Sequence, residues 1–455
     1  MSDPITLTLR KVELFERPVT LRLPFRFGAA TVTHCPQAFV RVEADVSGRG
    51  IVVGAAAELM VPKWFDKSPA LTHAQNFEQL RQSLRLAQAA YVAEDVACAP
   101  WALSEHAGEA AIARGVAQGL PRLAAQFGVA QLDKAVADAA LRAAGLGWTA
   151  GVRAGVLGDP WSARLELQQP DGIALRHTVG LADRLTAADP GTDPHDGLPA
   201  TVQSAIAAYG LRWFKLKLSG DAARDLARLG AIAALLDRDA GDYRVTLDGN
   251  ETFTDADTLA RFWNSLTAEP ALQALLRRTL LLEQPLARAV ALAEPIGGLG
   301  IAVPMILDES DNHAEAFDAG IALGYRGISS KACKGLYRSL RNAALIAARP
   351  GAGLLLSGED LTCQAGLAVQ QDSLLAASLG IGHVERNGHH YVDGFGVAPE
   401  AEAREFAAAH PRLYTCQDGP PRLAVRAGRL DLRDLHGPGF ASAAQPRWDS
   451  LQPIH

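Results

Sequence analysis

Residues 325–340 read YRGISSKACKGLYRSL, and two lysines in this stretch raise the question that decides the fold. A short apolar run, typical of a strand, ends at Lys331, and Lys334 follows just before Gly335. Strands seldom end in two ammonium groups, because a desolvated charge needs a partner. We therefore expect groups nearby that require these charges.

Four earlier segments also end in charged side chains where a strand-like run stops. They are WFKLKLSG (213–220) with Lys215 and Lys217, YRVTLDGN (243–250) with Asp248, TLLLEQP (279–285) with Glu283, and MILDES (305–310) with Asp308. Alternate residues of a strand share a face, so the two lysines of the first segment lie on the face opposite its leucines. Each charge is predicted to lie at the carboxyl end of a strand.

The spacing of these strand ends predicts a barrel. The five positions from Lys217 to Lys331 are separated by 31, 35, 25 and 23 residues, and a TIM-like barrel uses roughly 30 residues per strand–helix unit. Thr254 or Asp255 is available to cap the helix that follows Asp248. The apolar faces of the first two helices are predicted to be Leu226, Leu229, Ala233 and Leu236, and Leu259, Phe262, Trp263 and Leu266. Because barrels carry active sites at the carboxyl ends of their strands, the charges are expected to form one site.

The first part of the chain has a different pattern. Residues 5–15 and 38–59 alternate as strands do, with a glycine turn in DVSGRGIVVG (45–54), which predicts an antiparallel meander. Residues 72–145 are rich in alanine and leucine and are predicted to be helical. The rhythm of strand and helix begins at about residue 175, so the sequence predicts two domains of different architecture.

Composition excludes several classes of function. The chain has 455 residues, with 44 basic and 50 acidic side chains and a net charge of −6, so no basic surface for nucleic acid is expected. No apolar run is long enough to span a bilayer, and charges interrupt the first residues where a signal peptide needs an apolar core. The five cysteines are scattered, which argues against disulfides and structural zinc. These features predict a cytoplasmic enzyme that binds neither nucleic acid nor membranes.

The order of the charges indicates a particular chemistry. Three oxygen ligands on adjacent strands suit an octahedral divalent cation, by default Mg²⁺, with Mn²⁺ possible. Removing a proton beside a carboxylate creates an enediolate with two negative charges, which a metal ion and ammonium groups stabilise. A lysine acts as a base only when neutral, and we expect neighbouring cations to lower its pKa.

With these motifs in order, the sequence resembles the enolase superfamily, and within it the branch similar to muconate lactonizing enzyme, which carries a lysine on each side of the site. The matching motifs are KLK (215–217), DGN (248–250), EQP (283–285), DES (308–310) and KACKG (331–335). The resemblance implies an α/β fold, a TIM-like (β/α)7β barrel with an N-terminal α+β capping domain. The barrel is predicted over 173–395, and the cap over 1–172, completed by the C-terminal segment 396–455.

The resemblance also implies a role for each residue of the site. Asp248, Glu283 and Asp308 would bind Mg²⁺, Lys217 and Lys331 would be the acid/base pair, and Lys215 a supporting cation. Beside these residues, Glu309 could hold a lysine in place or bind the metal, and Asn250 is expected to support the ligands. The reaction implied is abstraction of the α-proton of a small carboxylate substrate, giving racemisation, epimerisation or cycloisomerisation. A homo-oligomer is expected, since barrels of this kind usually associate.

The seventh and eighth strands bear on the substrate. The mandelate-racemase branch has a histidine base on the seventh strand, whereas this chain offers Glu359 and Asp360 there, so that branch is disfavoured. Dipeptide epimerases often have paired aspartates after the eighth strand. The residues here are Glu385, Arg386 and Asn387, which argues against a dipeptide substrate.

The loop PFRFGAATVTHC (24–35) and the segment MVPKWFDK (60–67) correspond to two cap loops of the family that the sequence resembles, and they are expected to close over the barrel. Arg26 or Lys63 could meet an anion there. Four aromatic residues could line an apolar pocket or serve only packing: Phe25, Phe27, Trp64 and Phe65.

Three alternatives to an isomerase remain open. The same half-reaction can lead to β-elimination from an acid sugar or related hydroxy acid. A barrel of this kind can also serve as a binding or structural subunit without chemistry. A Schiff-base enzyme with one nucleophilic lysine would leave the three carboxylates unexplained.

Overall fold

The structure is a computed structural model that describes residues 5–359, 361, 364–386, 389–417 and 419–455. Its N-terminal part contains the predicted antiparallel meander, formed by β1 (Leu7–Phe27), β2 (Ala30–Val46) and β3 (Gly50–Leu59). The predicted helical stretch is confirmed as α1 (His73–Val92), α2 (Pro100–Leu103), α3 (Glu109–Ala117), α4 (Arg122–Ala144) and α5 (Trp148–Arg153), with a π-helical turn at Ser104–Gly108. Helix α4 is buried along most of its length because it packs between the sheet and other helices.

The segment 24–35 differs from the loop expected from the sequence. It is the tip of a long hairpin, in which β1 continues to Phe27 and β2 starts at Ala30. Gly28 takes a φ of 49° in the turn, a conformation that glycine adopts at little cost. Buried residues alternate with exposed ones on both sides of the turn, so this end of the hairpin still packs one face inward.

Eight parallel strands form the predicted barrel. They are β4 (Gly172–Val179), β5 (Trp213–Lys217), β6 (Arg244–Asp248), β7 (Thr279–Glu283), β8 (Met305–Ile306), β9 (Gly327–Ser330), β10 (Leu355–Gly358) and β11 (His383–Glu385). A bridge between Leu307 and Ile328 joins the β8 and β9 ends of the sheet, and the pairing of β11 with β4 completes the circle. The TIM-like fold predicted from the strand spacing is therefore confirmed.

Helices surround the barrel: α6 (Val202–Tyr209), α7 (Ala222–Asp239), α8 (Ala256–Ala268), α9 (Gln273–Arg277), α10 (Arg288–Ala291), α11 (Ala316–Leu323), α12 (Leu336–Ala347) and α13 (Leu367–Ser378). Helix α8 begins as predicted, with the Asp255 side chain accepting a hydrogen bond from the Thr258 amide. All four apolar residues predicted for its inner face are buried.

The C-terminal segment contacts both parts of the molecule. It contains α14 (Glu400–Ala409) and the short strands β12 (Tyr414–Thr415), β13 (Arg422–Leu423), β14 (Arg429–Asp431) and β15 (Gln452–Pro453). Strand β15 pairs with β1 of the cap sheet, whereas β14 pairs with β4 of the barrel. The Arg17 guanidinium also forms two hydrogen bonds of 2.7 Å with the buried Glu402 carboxylate. The exact domain boundaries remain predictions.

Among the described residues, no helix combines the length and the apolar character that crossing a membrane requires. Cys35, Cys98, Cys333 and Cys416 are free thiols, and Cys363 lies outside the described residues.

Three buried histidines pack between β4 and the chain that follows β11. The ring nitrogens of His177 and His389 are 3.0 Å apart, and the His390 ring centroid lies 4.7 Å from that of His177. Burial lowers the pKa of His177 to about 4 and lowers those of His389 and His390 well below their usual value. These histidines are therefore neutral in the folded protein at neutral pH.

Replacing His177 by glutamine should make stability less sensitive to acid. Between about pH 6.5 and 4 the unfolded chain protonates this side chain and the folded one does not, so the free energy of unfolding falls as pH decreases. The advantage of wild type over His177→Gln should shrink by about 3 kcal/mol across that window, measured by urea unfolding. The exposed His195→Gln serves as control, and a difference independent of pH would contradict the expectation.

Candidate functional site

The predicted site residues meet at one end of the barrel. Lys217, Asp248 and Glu283 are the last residues of β5, β6 and β7, and their Cα atoms are paired in register along the sheet. Asp308 follows β8 and Lys331 follows β9 directly. All five side chains are buried. Five consecutive strands therefore present a row of three carboxylates with a lysine at each end.

Lys215 lies at the centre of this charge cluster, one inward-facing position below Lys217. Its Nζ lies 2.9 Å from Asp248 Oδ2, 2.6 Å from Glu283 Oε2, 2.5 Å from Glu359 Oε2 and 2.9 Å from Glu385 Oε2. One fully buried ammonium thus contacts four carboxylates, two of them from the predicted metal-binding row. These contacts follow from the position of Lys215 in its strand, because the side chain points into the barrel, towards residues of strands on the other side.

The two terminal lysines each contact one carboxylate of the row. Lys217 Nζ lies 2.6 Å from Asp248 Oδ2, and Lys331 Nζ lies 2.7 Å from Asp308 Oδ2. Lys334 approaches Asp308 from the other oxygen, with Nζ 3.3 Å from Oδ1, and donates a hydrogen bond to the Ser329 carbonyl. Lys334 is therefore held by a carbonyl and a carboxylate of the barrel.

The pKa of each group reflects two opposing effects, the charges of its neighbours and the cost of burying a charge. Burial favours the neutral form of Asp308, but Lys331 and Lys334 outweigh it and hold the pKa of this carboxyl below its usual value. For Glu283, burial dominates and the pKa is raised, because Lys215 is shared with three other carboxylates. Burial also favours neutral Lys331, yet the Asp308 carboxylate raises the pKa of the lysine above its usual value. The Asp308 carboxylate thus raises the pKa of Lys331, whereas a lysine that acts as a base needs a lowered pKa.

The cap segment 60–67 reaches into the site. The ring of Trp64 lies over the ammonium of Lys331, with Nζ 4.5 Å from the ring centroid, a cation–π distance. Lys67 Nζ lies 3.3 Å from Glu309 Oε1 and 2.5 Å from Glu251 Oε2, and it donates a hydrogen bond of 2.7 Å to the Asn250 carbonyl. These contacts link the cap to residues adjacent to Asp248 and Asp308.

Glu309 is fully buried beside Asp308, and burial raises its pKa to about 7, with only partial compensation by Lys67. Its Oε2 has no hydrogen-bond partner among the described residues. The structure places Asn250 at a φ of 43° after Asp248, whose Oδ1 accepts a hydrogen bond from the Asn250 amide. The roles assigned to both residues from the sequence remain predictions.

Several polar residues of the site were not assigned a role from the sequence. Arg176, in β4, forms a buried ion pair with Glu359, and Thr178 donates a hydrogen bond to Glu385. A charged residue inside the apolar strand IALRHTV was the available signal for Arg176, and strand-end position was the signal for the two glutamates. Asp360 and Asn387 lie outside the described residues.

The cap aromatics serve mainly packing. The rings of Phe25 and Tyr391 are 4.8 Å apart, and those of Phe65 and Phe127 are 5.2 Å apart. Phe27 is buried as well. Of the four aromatic residues considered from the sequence, only Trp64 has a recorded contact with a lysine of the site.

The three carboxylates have the chemistry of a site for a hard divalent cation. They supply only oxygen donors, and Oε1 of the buried Glu283 carboxylate makes no hydrogen bond within the described part of the chain, while Oε2 pairs with the Lys215 ammonium. Yet no three His, Cys, Asp or Glu side chains among the described residues are arranged closely enough to share an ion. Each carboxylate of the row instead contacts a lysine ammonium. Asp248, Glu283 and Asp308 therefore fit a cation as a donor set, provided that the lysine side chains move aside.

Comparison with known proteins supports the fold. No protein-family model and no curated protein sequence matches the chain. Solved structures do match along almost the whole length, with probability 1.00. A member of the enolase superfamily from Roseovarius nubinhibens has a TM-score of 0.62 and 18% identity, covering 99% of each chain.

Two further solved structures carry ligands. A dipeptide epimerase from Enterococcus faecalis, in complex with Mg and the dipeptide L-Leu-L-Tyr, has a TM-score of 0.63 and 16% identity and covers 95% of this chain and 99% of its own. A muconate lactonizing enzyme from Mucobacterium Smegmatis, in complex with muconolactone, has a TM-score of 0.63 and 17% identity and covers 98% of both chains.

The chain therefore shares its fold with these solved structures, a TIM-like barrel with an N-terminal capping domain. The resemblance indicated by the sequence motifs is confirmed at the level of the fold. The assignment to the branch with paired lysines remains a prediction.

Replacing Arg288 by methionine should loosen the cap segment. Its guanidinium donates hydrogen bonds of 3.0 Å to the carbonyls of Trp64 and Phe65 and also pairs with Glu251. We expect a loss of about 2 kcal/mol of stability and faster amide hydrogen exchange in residues 60–67. The exposed Arg349→Met is the control, because the partners of Arg349 (Asp318, Phe317 and the Leu345 carbonyl) lie outside residues 60–67. Equal exchange in both variants would contradict this role.

Proposed function

We propose that the protein is a Mg²⁺-dependent enzyme of the enolase superfamily that abstracts the α-proton of a carboxylate substrate. The observation that carries this proposal is the row Asp248, Glu283 and Asp308, buried at the carboxyl ends of adjacent strands with Lys217 and Lys331 at its two ends. Packing alone does not require three carboxylates and three lysines in a dry barrel, because burying such charges costs free energy.

Asp248, Glu283 and Asp308 are the residues that would hold Mg²⁺, or Mn²⁺ in its place. When bound, the ion supplies positive charge that binds the substrate carboxylate and stabilises the second negative charge of the enediolate. The Mg in the solved dipeptide epimerase complex supports this choice of metal. Asn250 and Glu309, next to the ligands in sequence, would keep the site rigid through their own contacts.

The two terminal lysines are proposed to move the proton. With Lys217 and Lys331 on opposite sides of the substrate carbon, one Nζ removes the α-proton and the other delivers a proton to the opposite face, which inverts the centre. The raised pKa of Lys331 keeps its ammonium charged and suits proton delivery. Lys215 would remain an ammonium that contributes fixed positive charge to the enediolate.

The reaction beyond proton abstraction has three candidate outcomes. Reprotonation gives racemisation or epimerisation, and a related addition gives cycloisomerisation. Loss of a β-substituent from the same enediolate gives elimination. The lysine pair serves all of them, so the product must be measured.

The direct test is proton NMR in deuterated water with Mg²⁺ and pools of sugar acids, N-acyl amino acids, lactones and dipeptides. The α-proton signal of at least one pool should disappear, and the spectrum identifies an isomer or an elimination product. Lys217→Ala and Lys331→Ala should each slow the interconversion of the two isomers by about 10³-fold or more, since each removes one of the two proton-transfer groups, whereas exchange of a single isomer needs only the lysine on its own face. Lys11→Ala, on the exposed face of the cap, should have no effect.

Chelation of Mg²⁺ should also stop the exchange. If no pool exchanges and calorimetry detects no Mg²⁺ binding, the enzymatic proposal is wrong and a binding subunit is the remaining interpretation. If elimination products form, proton abstraction is supported, but the enzyme is a lyase and not an isomerase.

A further inference from the structure

A positively charged cavity lies beside the row of site carboxylates. It has a volume of about 900 Å³ and is bounded by the tip of the β1–β2 hairpin, the cap residues 63–73 and the loops after β4, β5 and β6. Ser219 and Asn250 line it, and they follow Lys217 and Asp248 by two residues each. The cavity therefore adjoins the proposed reaction centre and lies on the path between the cap and the strand ends.

The charges that line this cavity do not balance. Glu251 is its only acidic residue among those described, and Lys67 and Arg288 already pair with it at 2.5 and 2.7 Å. Arg26, Arg224 and Lys63 also line the cavity. Within the described chain, none of these three cations forms an ion pair with an acidic side chain. This concentration of positive charge contrasts with the net charge of −6 for the whole protein.

Several polar groups in the cavity also have unused hydrogen-bonding capacity. The Nε of Arg26 and the Oγ1 of Thr252 are buried and have no hydrogen-bond partner in the part of the chain that the structure describes. Lys63 Nζ donates to the carbonyls of Ser68 and Leu71, which leaves one of its three N–H groups available. Buried donors without partners are costly, and an anionic ligand would satisfy them.

The hairpin places Arg26 at the cavity by a direct contact between cap and barrel. The Arg26 carbonyl accepts a hydrogen bond of 2.9 Å from the Leu181 amide, in the loop that follows β4. Arg224 stands on the other side, in the first turn of α7. The guanidinium groups thus come from both domains and share one cavity.

We propose that this cavity binds a second anionic group of the substrate. This inference rests on the proposed function: one carboxylate binds at the row of site carboxylates with the metal, and a remote carboxylate or phosphate binds Arg26 and Arg224. The substrate class is therefore a carboxylic acid that carries a second anion away from the reacting carbon. Guanidinium groups suit both kinds of anion because they donate paired hydrogen bonds.

Calorimetric titration with matched acids tests the inference in the presence of Mg²⁺. Succinate, glutarate and adipate are each compared with the monocarboxylate of equal length, butyrate, pentanoate and hexanoate. At least one dicarboxylate should bind about tenfold tighter than its partner, a difference of about 1.4 kcal/mol. 3-Phosphonopropionate, compared with succinate, shows whether a phosphorus oxyanion or a carboxylate is preferred.

Variants assign the preference to the cavity. Arg26→Gln and Arg224→Gln should each reduce the preference for the dicarboxylate to less than about threefold and leave monocarboxylate binding unchanged. The matched control is Arg404→Gln, an exposed arginine of α14 that pairs with Glu400. Circular dichroism melting checks that each variant is folded. Equal affinity for both classes of acid, or equal weakening of both by Arg26→Gln, overturns the inference.

Glu283→Gln separates this inference from the proposed function. If both hold, it weakens the binding of both classes of acid, because it disturbs the site of the first carboxylate. A dicarboxylate preference that survives while Glu283→Gln has no effect supports the cavity and contradicts the proposed function. If monocarboxylate binding depends on Glu283 but no dicarboxylate binds more tightly, the proposed function is supported and the inference about the cavity is contradicted. Failure of every acid to bind contradicts both.

Discussion

The burial of charge at the carboxyl end of the barrel is the constraint on which the rest of the structure depends. Lys215 is fully buried, and four carboxylates surround its ammonium within 2.9 Å. Groups of this kind remain charged away from water only when partners offset the lost hydration. Burial raises the pKa of Glu283 and that of Glu359, and the neighbouring carboxylates raise them further. A divalent cation is the natural complement of such an excess of carboxylate.

The cap is coupled to this charge cluster as well as covering it. Trp64 packs on Lys331, and Lys67 pairs with Glu309, so residues of one short cap segment contact a proposed proton carrier and a neighbour of a proposed metal ligand. Movement of this segment would therefore change the electrostatic environment of the site together with its access to water. The hairpin tip adds Arg26 from the same domain, so the proposed site for a second anion lies against the same cap.

The sequence predicted which residues form the site but not how their side chains contact one another. Strand-end position and spacing sufficed for Lys217, Asp248, Glu283, Asp308 and Lys331, because alternation along a strand and the geometry of a barrel determine where such residues lie. The cap of α8 at Asp255 followed from local chemistry in the same way. The contacts of Lys215 with Glu359 and Glu385 join positions 144 and 170 residues apart and depend on side-chain conformation. The same holds for Lys67 and Glu309. The hairpin at 24–35 was missed because its turn residues resemble a loop.

The most direct test of the account is a crystal structure with Mn²⁺, recorded at the manganese absorption edge. The account predicts one strong anomalous peak bounded by carboxylate oxygens of Asp248, Glu283 and Asp308, with Lys217 and Lys331 on opposite sides of it and Lys215 displaced from Glu283. A map with no peak at this position, in which Lys215 still bridges Asp248 and Glu283, would contradict it. The three carboxylates would then be counter-ions of a structural lysine.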